Sequence, residues 1–212
     1  MRRCFRVALV VLVIEMVFAA LAPSALAGSH PTMRNDRSSA CDQRAKAFVQ
    51  EMNTLPEDNR NEAFAQLSFM EQQRIIECFS NARIEVVTHT EPIITPNAAG
   101  CWTRDQSVIS YNPVGWVNWE YRVYISWCGD GQWITSWSTW RTVDIDGWWW
   151  EFKGDVENWH YGGVGHNGVH TFRQGYFEYC PYEIGCIQSI FPWVEHYAYG
   201  NGEHYSYWGE GV

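Results

Sequence analysis

The chain has no CxxC pair, no GxSxG turn and no glycine-rich loop opening a helix, and it is short of basic residues, with 15 Lys and Arg against 24 Asp and Glu. The first absence removes the usual zinc-ribbon and finger frameworks. The second removes the serine nucleophile of α/β-hydrolases, and the third removes a phosphate cradle. A formal charge of −9 argues against nucleic acid or anionic lipid as partner, because phosphate binding relies on clustered Lys and Arg. Cationic or neutral partners fit better. No cofactor is expected, and no metal.

Long apolar runs are also lacking. The single candidate, from Val7 to about Ala20, is interrupted by Glu15 and is shorter than the ~20 residues a bilayer span needs. It reads instead as the apolar part of a secretory signal: Arg2, Arg3 and Arg6 precede it, and Ala25-Leu26-Ala27 comes after it as a cleavage motif. The expectation is cleavage after Ala27 and a secreted, extracellular mature chain with no membrane span. Of the 7 cysteines, Cys4 lies before the apolar run, which leaves an even number in an exporting context where disulfides persist. The expected pairs are Cys41 with Cys78, Cys101 with Cys128, and Cys180 with Cys186, each inside one structural unit.

Aromatic residues are abundant: 13 Trp, 11 Tyr and 10 Phe, with every tryptophan beyond residue 100. Residues 28–40 are polar and small, and read as a disordered N-terminus. Residues 41–83 carry helical periodicity. Ala45, Phe48, Val49 and Met52 share one face, Glu57 to Gln66 adds a second helix, and Ser68 with Glu71 forms a capping box ahead of Phe69, Met70, Ile75, Ile76 and Phe79. A helical hairpin or small bundle is expected there, then a linker over 84–100 containing Pro92 and Pro96.

From 101 to 212 the period changes to two. Trp119, Tyr121, Val123, Ile125 and Trp127 alternate with Glu120, Arg122, Tyr124 and Ser126, and Gly129-Asp130-Gly131 turns the chain into a returning strand, Trp133 to Arg141. Further strands are expected over Trp148 to Trp159, Val169 to Cys180 and Ile187 to Tyr199. The predicted fold is mainly β: an antiparallel β-sandwich or jelly roll with a small N-terminal α-helical region.

On simple alternation, Trp149, Glu151, Asp155, Glu157 and Trp159 fall on one face of a strand. Indole faces beside carboxylates suit a glycan or cell-surface polymer, since the rings cover C–H faces and the acids accept from hydroxyls. These five residues form the expected ligand-binding face. A second possibility is glycoside hydrolysis by two of Glu151, Glu178 and Glu195, because that reaction uses paired carboxylates. His160, His166 and His170 are residues of metal-ligating type, but their glycine-rich surroundings read as a loop. A third class is a protein-interaction or defence protein whose helical region masks or presents the β domain, with the linker as its processing point.

Particular segments carry two resemblances. Trp193-Val194-Glu195-His196-Tyr197 resembles a catalytic-strand segment of small jelly-roll xylanases, which implies a catalytic role for Glu195; no second glutamate matches a motif of that family. Residues 101–208 resemble a group of exported, Trp-rich bacterial β-domain proteins with no assigned activity. That likeness rests on the Cys-Trp start at 101, Trp-Cys-Gly-Asp-Gly at 127–131, Gly-Gly-Val-Gly at 162–165, and Phe191-Pro192-Trp193 before Tyr199-Gly200-Asn201-Gly202. It implies secretion and a β domain, and carries over no site residue.

Overall fold

A computed structural model describes residues 43–80, 83–89, 99–182 and 184–211. The expected export signal and disordered N-terminus, most of the expected linker and Cys41 lie outside the described residues. Three helices, α1 (Gln43–Met52), α2 (Glu57–Ala65) and α3 (Phe69–Phe79), precede eight strands. These are β1 (Arg83–His89), β2 (Gly100–Tyr111), β3 (Val117–Gly129), β4 (Ile134–Ile145), β5 (Trp150–Gly162), β6 (Gly168–Tyr179), β7 (Gln188–Tyr199) and β8 (His204–Gly211).

The strands form two antiparallel four-stranded sheets in the orders β1-β2-β3-β4 and β5-β6-β7-β8. Each is a meander of neighbours in sequence. The fold is therefore the β-sandwich, without the crossing connections of a jelly roll. Sequence periodicity locates β3 correctly, with Trp119, Tyr121, Val123, Ile125 and Trp127 all buried on its inner face. Arg83–His89 departs from expectation: it pairs with β2 as an edge strand, although the sequence pattern puts most of it in the linker.

Two apolar clusters fill the interior. At one end, Trp119 stacks on Phe177 with ring centroids 4.2 Å apart, and Trp150 and Tyr121 close around them. At the other end lie Trp102, Ile125, Trp127, Ile134, Val169 and Ala198. A polar belt separates them. Gln106 and His196 are fully buried in it, and Asp155 accepts from Tyr121 Oη (3.1 Å), Arg141 Nε (2.7 Å) and Arg173 (2.9 Å). Burial and the Asp155 charge push the Tyr121 phenol well above its ordinary value.

The helices belong to the first cluster. Ala45, Val49, Met52, Phe64, Ile75, Ile76 and Phe79 bury against Trp148, Trp150 and Tyr179 rather than only against each other. Ser68 and Glu71 make the expected reciprocal cap of α3. Indole N–H groups tie the interface: Trp148 donates to Asn53 (2.8 Å) and Trp150 to the Phe79 carbonyl (3.0 Å), while Tyr179 donates to the Ile76 carbonyl (2.9 Å).

The opposite end is stitched by backbone. Ile134 N–H donates to the His166 carbonyl (2.8 Å), Gly165 N–H to Ile134 (2.9 Å), Gly131 N–H to Gly200 (3.0 Å) and Gly200 N–H to Asn167 (2.9 Å). The turns after β3, β5 and β7 thus meet. A Cβ on Gly129 would run into the Gly200 carbonyl, and one on Gly200 would sit 2.6 Å from the Trp133 backbone. The glycine segments at 127–131, 162–165 and 199–202 form these three touching turns. Cys101 is bonded to Cys128 and Cys180 to Cys186, as expected; Cys78 is also disulfide-bonded, to a partner outside the described residues. Among the described residues no helix is long and apolar enough to cross a membrane. The disulfides are compatible with an extracellular protein.

Candidate functional site

The five residues expected to share a face do not. Trp149 precedes β5 at φ 62°, a left-handed conformation that costs a large side chain about 1–2 kcal/mol and is held by packing. Its ring meets Phe64 at 4.7 Å and Phe79 at 6.0 Å, and its N–H reaches Asn61 at 3.3 Å, so it seals the helix interface. Two register shifts in β5, between Phe152 and Gly154 and between Asp155 and Glu157, then reset the alternation twice. Each inserts a residue with no cross-strand partner and re-aims the side chains after it. Asp155 consequently points into the polar belt, whereas Glu151, Glu157 and Trp159 point out.

Cross-strand pairing defines the surface that Trp159 and Glu157 do share. The register sets Trp159 beside Phe172, Phe172 beside Glu195, and Glu195 beside Tyr207. One row toward the glycine turns run Tyr161, His170, Tyr197 and Tyr205; one row the other way run Glu157, Gln174, Trp193 and Gly209. All lie on the outer face of the β5–β8 sheet. The rings are ordered by stacking: Trp159 on Phe172 at 5.2 Å, Phe172 with Trp193 at 5.8 Å, His170 on Tyr197 at 3.9 Å and Tyr176 on Phe191 at 4.8 Å. Gly209 leaves room for the Trp193 ring to lie across β8.

An outer sheet face is ordinarily polar. The β1–β4 sheet follows this in part, with Ser107, Glu120 and Arg122 in one hydrogen-bonded group, and among the described residues exposes a single stacked pair, Trp140 on Tyr124, on that face. The β5–β8 face instead exposes Tyr161 at 78%, Tyr207 at 56%, Tyr205 at 53% and Trp159 at 37%. Stacked rings in the middle of the sheet cover each other's faces and offer edges. Open ring faces are left at the two margins, around Trp159 and Tyr161 on β5 and around the tyrosines of β7 and β8. At the second margin Glu195, Tyr197, Tyr199, Tyr205 and Tyr207 line a shallow depression.

The acids on this face differ in company. Lys153 bridges Glu151 and Glu178, which are cross-strand partners, and Tyr176 donates to Glu178. The Tyr176 hydrogen bond, followed by the Lys153 contacts, holds the Glu178 carboxyl below its usual range. Glu157 accepts from the Trp159 N–H (2.9 Å). Glu195 accepts from Tyr197 Oη (3.3 Å) and lies 3.7 Å from His170 Nε2. Burial first, then the Glu195 charge, raises the Tyr197 phenol. Glu195 stands about 20 Å along the strands from the level of Glu151 and Glu178.

His160 is exposed and packs on Trp137 at the edge where β4 and β5 meet, His166 sits in a turn and His170 lies on the outer face, so the three do not converge. Glu178, Cys180 and Cys186 approach one another within ligand distance, but both sulfurs are spent in the disulfide. Sequence reading misses Phe172, Trp193, Tyr197, Tyr205 and Tyr207 as members of a site. They are spread over three strands of the meander, and only strand pairing gathers them; the signal available in sequence is aromatic residues on the polar phase of otherwise alternating strands. No family model, curated protein or solved structure matches the chain, so the resemblance to exported Trp-rich proteins rests on its motifs alone.

Proposed function

We propose that the protein is secreted and binds an extracellular glycan or cell-surface polymer on the outer face of the β5–β8 sheet, without turning it over. The observation that carries this reading is the row structure of that face. Aromatic rings run across four strands in register and end in open faces at both margins, with Glu157 and Glu195 set among them and no Lys or Arg ion-paired to either among the described residues. Such a surface is costly to leave wet and marks an interaction site. Its two-dimensional breadth suits an extended polymer better than a small enclosed ligand.

The hydrolase reading gains nothing from the geometry. Glu151 and Glu178 are close but share Lys153, and the Glu178 carboxyl is held below its usual range, whereas an acid catalyst needs its own range raised. Glu195 and Glu157 stand two strands and one row apart on the same face, and the contacts of Glu195 are with Tyr197 and His170.

The test is a polysaccharide pull-down and glycan array on the exported protein, with reducing-sugar release assayed in the same samples. Retention without release is expected, and Trp159→Ala should weaken it at least ~10-fold while leaving the near-UV circular dichroism of the core in place. Retention on no polymer at all would sink the proposal.

A further inference from the structure

We infer that the depression between β7 and β8 is a cage for a quaternary ammonium group. This rests on the reading of the β5–β8 outer face as the ligand-binding surface and names the chemistry of one part of it. Four tyrosines and one carboxylate line the depression: Tyr197 and Tyr199 from β7, Tyr205 and Tyr207 from β8, and Glu195 at its side. Tyr197 pairs directly with Tyr205 and Glu195 directly with Tyr207, so five side chains occupy three successive levels of two adjacent strands. That patch is about 13 Å by 5 Å.

The rings stand as walls. Tyr197 and Tyr207 meet at 88° with centroids 5.7 Å apart, and Tyr199 and Tyr205 at 81° with centroids 6.2 Å apart. His170 covers one face of Tyr197 at 3.9 Å, so the open ring surface of the depression comes chiefly from Tyr205 and Tyr207, 53% and 56% exposed. Open ring faces are the negative lobes of the ring quadrupole and attract a cation lying within about 6 Å of the centroid. Glu195 adds a formal negative charge. No Lys or Arg is ion-paired to it among the described residues, and the whole chain carries −9.

The chemistry selects among cations. Small inorganic ions and primary ammonium groups are held by their hydration and would ask for several oxygen ligands, whereas the cage offers one carboxylate and ring faces. A quaternary ammonium has no N–H to satisfy, sheds water readily and presents methyl groups to the rings. Choline-type substituents on a cell-surface polymer and choline lipid headgroups share this group.

Choline is titrated into the full-length exported protein by calorimetry and tyrosine-resolved NMR, with 3,3-dimethyl-1-butanol as its uncharged isostere. Choline is expected to bind at the Tyr205 and Tyr207 signals and the isostere at least ~10-fold more weakly. Glu195→Gln and Tyr207→Leu should each lose ~10-fold or more, while Tyr207→Phe, which keeps the ring, restores affinity. Retention on phosphatidylcholine vesicles would assign the headgroup source, and retention only on choline-substituted polymer the other. Equal binding of choline and its isostere, or unchanged choline affinity in folded Tyr207→Leu, overturns the cage. Polymer retention that survives alongside either result would leave the broader surface reading standing; polymer retention lost with Trp159→Ala but choline binding intact separates the two margins.

Discussion

The carboxylate of Asp155 receives hydrogen bonds from Tyr121, Arg141 and Arg173 in the middle of the sandwich, so its removal leaves two guanidinium groups facing each other with no counter-charge. Asp155→Ala should lower stability by about 2 kcal/mol, a figure kept below that of a fully buried pair because the Arg141 side chain is 31% exposed. Urea unfolding measures it, and a loss of ligand retention with unchanged stability would instead make Asp155 a contact residue. A second interior residue sets the acid limit. His196 donates from Nε2 to the Val123 carbonyl (3.2 Å), and its Nδ1 lies 3.0 Å from Ser206 Oγ and 3.1 Å from His204 Nε2. Burial pushes its pKa from the ordinary 6.5 down to about 4, and burial, followed by His196 and Arg104, takes His204 to about 3. A depressed histidine means that the unfolded chain takes up protons first. The stability is therefore complete above pH 6.5 and drains away as pH falls from there to about 4, by about 3 kcal/mol for His196 alone. The urea midpoint should fall across that window, and His196→Gln should flatten the fall; an equal slope in the variant would place the acid sensitivity elsewhere.

Among the elements, β3 and β5 show what sequence can and cannot convey. The β3 alternation is unbroken over Trp119 to Trp127, and every residue placed on the inner face is buried there. In β5 the same rule fails after a few residues, because Lys153 and Val156 have no cross-strand partner and shift the phase. Gly154, at φ 120°, is the local sign of the first bulge, since an isolated strand glycine in that conformation marks a kink rather than a pleat. Of the expected face, Glu151, Glu157 and Trp159 stay on the outer side, Trp149 seals the helices and Asp155 turns inward. The tyrosine margin is invisible in sequence for another reason: pairing between β7 and β8 creates it, and no single strand contains it. The glycine turns behave as one further element. Their contact demands backbone without side chains at Gly129 and Gly200, so Gly129→Ala should cost about 2 kcal/mol by forcing the turns apart. A thermal scan reads this directly, and a neutral result would mean that the turn pair separates freely.

At the scale of the whole molecule, the question is whether the helices form an appendage or part of the fold. Their sequence suggests a self-contained bundle, with its own caps and its own apolar faces. The packing argues otherwise. Phe79 stacks on Trp148 at 4.8 Å, Phe64 meets Trp149 edge-on, and Ile75, Ile76 and Phe79 share one continuous buried cluster with Trp119, Phe177 and Val194 from both sheets. Without the helices, the Trp148 and Trp150 indoles and the Tyr179 phenol would lose their hydrogen-bond acceptors together with their apolar cover. A bundle that buries its face against the sandwich rather than within itself has little to hold it folded alone. The helical far-UV signal and the tryptophan fluorescence should therefore disappear in one transition, at the same urea midpoint, when the intact protein is titrated. A helical signal lost ahead of the fluorescence would show an independent module, and would return weight to a role in which the helices release the β domain. Coincident curves would instead mean that the helices are the end wall of the sandwich, and that the proposed ligand face on β5–β8 belongs to one cooperative folding unit.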